Sequence, residues 1–392
     1  MDPFRRNIPL LAFAQAMMMS STSFLITAGS LAGHLLAEDK ALATAPLAAA
    51  FVSTMLNSVP AAWLMHHIGR KAGFLLATLI GASGALLAAG AILHGYFWGL
   101  VAGAALIGMH NAFGNYYRFA AADAVPQALK GRAVSWILAG GVAAAFVGPN
   151  LAHLGRDWIA AAPFAGGFLA VAGLYGCAAL ALSLLRLPPQ AEDRPQVAEP
   201  VRPLRMIARQ PAYRAALLCA TLGYGVMSLV MTATPLAMSH HQHGLGDTAL
   251  VIQWHVLAMF APAFFTGRLI ERLGLIPVLR LGALLELGCV LINLTGTGLW
   301  HFRLALILLG VGWNFLFIGG TTLLTRSYRP AEKARVQASN DFAVFTTVTL
   351  ASLSAGALQQ LYGWRTVNLG VLPLLLVALL TVEWYARRTR RG

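Results

Sequence analysis

From about residue 8 onward the sequence runs apolar for roughly twenty residues at a time, breaks at a short polar or basic turn, and runs apolar again. About 20 apolar residues is the length of helix that crosses the ~30 Å hydrocarbon layer of a bilayer. Inside that layer every backbone N–H and C=O must be satisfied within the protein, which leaves helices and closed barrels. Barrel strands alternate apolar and polar residues; these runs do not. The expectation is an all-α membrane protein. Composition agrees: 58% of the residues are hydrophobic and 11% charged, against roughly 25% charged in a soluble domain. A net charge of +14 would point a soluble protein toward nucleic acid. Here the cations gather in alternate turns, so they speak to topology, and no nucleic-acid partner is expected.

Twelve spans are read, at about 8–36, 44–65, 73–93, 97–120, 133–154, 159–185, 212–238, 248–269, 276–295, 302–325, 337–358 and 366–385. Between the sixth and seventh lies a polar stretch holding Pro188, Pro189, Pro195, Pro200 and Pro203 among charges. The expected organisation is a six-helix bundle over residues 1–186, a cytoplasmic linker over 187–211 and a second six-helix bundle over 212–392. With the N-terminus inside, every one of the 28 lysines and arginines except Lys40, Arg156, Arg303 and Arg365 falls on the cytoplasmic side. That bias places both termini inside and requires an even number of spans.

The two halves repeat. Gly69 in Ala62–Lys71 and Gly274 in Gly267–Gly274 end equivalent turns 205 residues apart. Thr27–Ala32 and Thr232–Ala237 keep the same interval, Asn111 and Asn314 stand 203 apart, and Trp158 and Trp364 stand 206 apart. Several matches at one offset, in one order, indicate an internal duplication.

These features together resemble the major facilitator superfamily over essentially the whole chain. Its signature between the second and third spans reads G-x-x-x-D-R-x-G-R-R/K. Gly267, Glu271, Arg272 and Gly274 fit it well; the first copy keeps Gly69, Arg70 and Lys71 but has Ala62, His66 and His67 where Gly, Asp and Arg are expected. Arg118, Asp123–Pro126 and Lys130–Ala133 resemble the family's fourth-span end and the loop after it, and Gly148–Pro149 the core of its exporter motif without the flanking glycines. The resemblance implies two pseudo-symmetric bundles rocking about a midplane site lined by spans 1, 4, 7 and 10. It also implies a cytoplasmic latch in which the signature acid faces the N-terminus of span 11 and its arginine pairs with an acid at the end of span 4. A carboxylate at an exposed helix N-terminus is favourable by about 0.3–1 kcal/mol, enough to bias two states without locking either.

Carried onto this chain, the latch pairs Arg70 with Asp123, against the plainer reading of two solvated charges. Because His66 stands where the acid belongs and Asp341 falls in the first turn of span 11, a pH-sensitive His66–Asp341 contact is expected, against a histidine that merely tolerates an interface. His110, Asn111 and Asn314 lie mid-span on cavity-lining helices, where polar groups need partners or water; they are candidate substrate contacts or interhelical bonds. Gln15, Gln253, Trp254, His255 and Trp313 are further candidates, the tryptophans as stacking surfaces or as packing. Glu286, mid-span in a peripheral helix, is either a coupling carboxyl or one bonded to a neighbour.

There is no Gly-Lys dipeptide, hence no P-loop, and no metal-ligand motif or cofactor is expected. The expected function is secondary transport of a small organic solute, with the proton as coupling ion. A multidrug-type efflux antiporter and a non-transporting sensor are the alternatives; an enzyme is not expected. The protein is expected as a monomer in the plasma (inner) membrane, multi-pass.

Overall fold

The computed structural model describes residues 3–126, 133, 136–137, 139–187, 202–329 and 332–389. Among these every regular element is a helix. In order they are α1 (Pro3–Leu36), a 3-10 turn (Lys40–Leu42), α2 (Ala45–Ile68), α3 (Arg70–Leu93), α4 (Phe97–Gly114), α5 (Tyr117–Asp123), α6 (Gly140–Leu154) and α7 (Ala165–Ser183). Then come α8 (Leu204–Ile207), α9 (Pro211–His240), α10 (Leu245–Phe260), α11 (Ala263–Leu273), α12 (Leu275–Thr295), α13 (Leu299–Thr325) and α14 (Lys333–Thr389).

Nine of these helices are long and apolar enough to cross a bilayer, and the bent pair α10–α11 makes a tenth crossing. α14, already one of the nine, holds two crossings in one element and so supplies the eleventh. Its 57 residues would reach ~85 Å at ~1.5 Å per residue, and it divides at Gly363, whose φ of 76° and ψ of 174° are not helical. The twelfth crossing is α6, preceded by helical residues at 133, 136 and 137. The fold is all-α with twelve spans, as the sequence predicts.

Three expected spans differ in detail. The fourth is split at Asn115–Tyr116 into α4 and α5. The sixth starts later, at Ala165, after turns in which Phe164 takes a left-handed φ of 72°. The eighth bends by 46° between α10 and α11, where Pro262 cannot donate a helical N–H.

The duplication is visible in backbone and packing alike. Gly69 (φ 85°, ψ 151°) ends α2 and opens α3, and Gly274 (φ 90°, ψ 160°) ends α11 and opens α12. Only glycine takes that region without strain, so the repeated residue is a backbone requirement. In the first half α3 packs on α4 and α7, α2 on α4, and α1 on α6. In the second, α12 packs on α13 and α14, α10 on α13, and α9 on α14. These are the same pairings, six spans on.

Glycines set the closeness. A Cβ on Gly108 in α4 would run into the backbone carbonyl of Ala50 in α2, and one on Gly310 in α13 would sit 2.6 Å from the carbonyl oxygen of His255 in α10. Without a hydrophobic drive between helices in lipid, such close backbone contact is what holds spans together. Between the halves, α6 meets α10 and α2 meets α14. Thr44 Oγ1 donates to Leu353 O and accepts from Gly356 N–H, each at 3.2 Å, joining the halves at their Lys/Arg-poor end.

Candidate functional site

Four aromatic rings from three helices of the second half gather in mid-membrane. Trp313 and Phe317, one turn apart on α13, stack with centroids 5.1 Å apart and planes 9° from parallel. Tyr224 of α9 stands edge-on to both, at 5.1 Å from Trp313 and 5.6 Å from Phe317. Phe260, at the end of α10, meets Trp313 at 6.2 Å and 73°. On its other side Phe260 lies over Gly141 of α6, where a Cβ would be 2.7 Å from the ring. The first half offers a half-buried polar pair: Asn111 Nδ2 of α4 donates to Thr22 Oγ1 of α1 at 3.2 Å.

These groups share a depth. Counted from the Lys/Arg-poor ends at Leu36, Phe97, His240, Leu245 and Leu299, Thr22, Asn111, Tyr224, Phe260 and Trp313 lie 14, 14, 16, 15 and 14 residues in. At ~1.5 Å per residue that is ~21–24 Å, close to the middle of the membrane. Flat rings can hold a planar ligand by its faces, and an amide can hold one by its polar edge.

The sequence candidates divide by where they point. Trp313 is in the ring cluster, 5% exposed. Gln15 is buried in α1, seven residues before Thr22 and so on the same helical face. Asn314 is repair rather than recognition: its Nδ2 donates to Met259 O and its Oδ1 accepts from Thr266 Oγ1, both at 2.7 Å, across the bend at Pro262. His110 turns away from Asn111, fully buried, with its ring 4.5 Å from Tyr175 of α7 and against Gly81 of α3. Tyr175 in turn shares a 2.6 Å hydrogen bond with Ser21.

Three consecutive candidates on α10 face three ways. Gln253 Oε1 accepts from Asn150 Nδ2 of α6 at 2.8 Å, tying the halves together. Trp254 is 42% exposed on the outside. His255 Nδ1–H donates to Leu306 O of α13 at 2.8 Å. None of them joins the rings. Tyr224, Phe260, Phe317 and Thr22 are members that the sequence reading missed; only the Trp313–Phe317 spacing of four carried a signal.

At the Lys/Arg-rich ends of the spans the expected His66–Asp341 contact is not made. Asp341 has Arg118 and Tyr116 of the fourth span as its electrostatic neighbours, and His66 is exposed with its ring 5.4 Å from His67. A guanidinium is charged at any working pH and attracts a carboxylate, and Asp341 has that neighbour on the fourth span. The Asp123 side chain lies outside the described residues, as do Lys130–Arg132, so the Arg70–Asp123 pairing is not described. Lys71, next in the turn, donates to Ser183 O at 2.6 Å and Leu185 O at 3.0 Å, capping the end of α7. In the second copy Gly267 has open space around it, and Glu271 and Arg272 are exposed, with no ion pair of theirs among the described residues. Glu286 is wholly buried in α12 against Gly312 of α13, and neither carboxylate oxygen has a hydrogen-bond partner among the described residues.

The end of the linker is fastened to the loop after α13. Glu332, 1% exposed, accepts from Arg202 Nε at 2.7 Å, Arg202 Nη2 at 2.6 Å, Arg202 N–H at 3.0 Å and Arg329 N–H at 2.9 Å. The Arg202 side-chain bonds hold its carboxyl at about 2, well below the ordinary 4.5, against the opposing effect of burial. With the folded value depressed, the contribution is full above about pH 4.5 and fades only as pH falls toward 2. It is therefore constant between pH 5 and 8. Glu332→Gln removes the charge and one acceptor set; trypsin at pH 8 is expected to cut after Arg205 and Arg209 several-fold faster than in the parent. Equal cutting would mean that the pair does not hold the linker.

The comparisons with known proteins agree with this architecture. The model of the Major Facilitator Superfamily matches residues 10–261 and 216–392. A riboflavin transporter of Brucella anthropi is 42% identical over 99% of this chain and 97% of its own length. An uncharacterized MFS-type transporter of Bacillus subtilis, YddS, is 27% identical over 98% of this chain and 92% of its own length. Among solved structures, a bacterial homologue of the human lysosomal transporter Spinster, inward-facing and unoccupied, superposes with a TM-score of 0.78 at 14% identity, covering 98% and 97% of the two chains. Matched by the family model from residue 10 to residue 392 and by a transporter along nearly its whole length, the chain belongs to the Major Facilitator Superfamily and is a multi-pass membrane transporter, not an enzyme.

Proposed function

We propose that this protein moves riboflavin across the membrane by alternating access. The observation that carries the proposal is the 42% identity, over 99% of the chain, to the riboflavin transporter of Brucella anthropi. The ring cluster supports it independently. A flavin presents a flat tricyclic system without net charge, and Trp313, Phe317, Tyr224 and Phe260 are flat surfaces at mid-membrane with no charged residue among them. The two moving bodies are the halves at 1–186 and 212–392, joined by 187–211, a division supported by the repeated packing pairs. Opening the Lys/Arg-poor end breaks the Asn150–Gln253 and Thr44 hydrogen bonds.

The proton gradient is the drive in this proposal. Its support is Glu286: an ionisable group with no hydrogen-bond partner among the described residues, pressed against Gly312, the neighbour of Trp313. A change of proton occupancy there is transmitted to the rings through one helix. Both termini lie in the cytoplasm and the chain works as a monomer in the plasma (inner) membrane, as the lysine and arginine bias suggests for orientation.

Proteoliposomes given radiolabelled riboflavin under an imposed pH gradient test this. Accumulation that collapses with an uncoupler is the expected result. Accumulation indifferent to the uncoupler would remove the proton and leave the transporter. No riboflavin flux through well-folded protein would remove the substrate.

A further inference from the structure

The duplicated asparagines supply an internal control. Asn314 uses both ends of its amide, on Met259 O and Thr266 Oγ1, because α10 and α11 meet there at a bend that leaves backbone to be satisfied. Its counterpart Asn111 has no bend to repair: α2 runs from Ala45 to Ile68 as one helix with Pro60 inside it. Asn111 uses one end only. Its Nδ2 is on Thr22 Oγ1, whose own hydroxyl proton goes to Met18 O at 3.2 Å, and its Oδ1 is buried without a donor among the described residues. In a span, where lipid supplies no donor, an amide oxygen left without one is a standing penalty.

In the second half another group is in the same condition. Trp313, 5% exposed, has its indole Nε1–H buried and without an acceptor among the described residues. Both residues lie 14 residues from the Lys/Arg-poor ends of their helices. One half therefore presents an unused acceptor, the other an unused donor beside an aromatic stack, at one depth.

We propose that Asn111 is the residue that reads the substrate's polar edge, its Oδ1 accepting a hydrogen bond from a ring N–H. The substrate class is then a planar heterocycle with an N–H flanked by carbonyl groups, the stacked rings taking its face. Riboflavin has this edge, an N–H between two C=O groups. The proposal rests on the flavin reading and deepens it: the imide edge, not the ribityl chain, is what the first half recognises. Thr22 is a positioning residue, holding the amide so that its oxygen faces the ligand.

The test compares riboflavin with N3-methylriboflavin, in which the ring N–H is replaced by N–CH3, by equilibrium binding to the full chain in nanodiscs. The parent protein is expected to bind riboflavin about tenfold more tightly than the methylated compound, the worth of one hydrogen bond of ~1.4 kcal/mol. Asn111→Leu is expected to lose that tenfold for riboflavin and to bind the two compounds alike. Equal affinities in the parent would overturn the inference without any variant having to fold, and would leave the flavin reading standing. An undiminished tenfold preference in Asn111→Leu would overturn it as well, placing the recognition elsewhere. If neither compound binds the parent, the flavin reading falls and this inference with it.

Discussion

Trp313→Ala is expected to weaken riboflavin binding by about five- to a hundredfold. Stacking of a flat heterocycle on one aromatic side chain is worth ~1–3 kcal/mol by alanine replacement, and each ~1.4 kcal/mol is tenfold in affinity. Trp313 is the hub of the cluster: Phe317 lies parallel to it, and Tyr224 and Phe260 stand edge-on to it. Trp313→Phe keeps a ring in place and should recover most of the loss. Trp254→Ala is the control, because that indole is 42% exposed outside the cluster and its removal should leave affinity within twofold. Loss of thermal stability in Trp313→Ala is also expected, since a tryptophan 5% exposed leaves a cavity costing ~3–5 kcal/mol; titration therefore has to be done on the folded fraction. Equal affinities for Trp313→Ala, Trp254→Ala and the parent would remove the ring cluster from the binding site.

Gly108→Leu should abolish the folded protein. Its Cβ would overlap the carbonyl group of Ala50, which is backbone of α2 and cannot rotate aside. Overpacking a tight contact costs ~1–3 kcal/mol even where side chains can move, and here only a shift of the whole helix relieves it. The expected readout is loss of the monodisperse peak in detergent, with any residual protein melting well below the parent. Gly173→Leu in α7, where nothing lies within 4 Å of the new Cβ, should behave as the parent does. A normal Gly108→Leu protein would mean that α2 and α4 do not touch at this point.

Much of the fold was legible because membrane physics leaves few choices. Apolar run length gave the crossings, and the repeated glycine turn gave the duplicated pairing of the spans. Gly69 and Gly274 proved equivalent down to their backbone angles. What could not be read were the irregularities that neighbours repair. The bend at Pro262 is stable because Asn314, 52 residues further on, donates to the carbonyl exposed there, and no local pattern announces that. The same ignorance made Asn314 look like a substrate contact. Within the site the failures share a cause: adjacent residues on a helix point about 100° apart. His110 and Asn111 could not both face a ligand, and His110 went to Tyr175. Gln253, Trp254 and His255 were bound to diverge, and they do. Of the rings, Trp313 was found by type alone, whereas Tyr224 and Phe260 reach it from other helices and become visible only when the chain is folded.

The central claim is that a flavin lies face to face with the second-half rings. Riboflavin's own fluorescence reports this most directly, because stacking on tryptophan or tyrosine quenches it. Titrating riboflavin with the parent protein in nanodiscs, alongside radiolabelled riboflavin to count bound ligand, should quench the emission and saturate at one flavin per chain. Radiolabelled flavin bound at that stoichiometry with its emission unchanged would contradict the account, for the ligand would then sit away from Trp313.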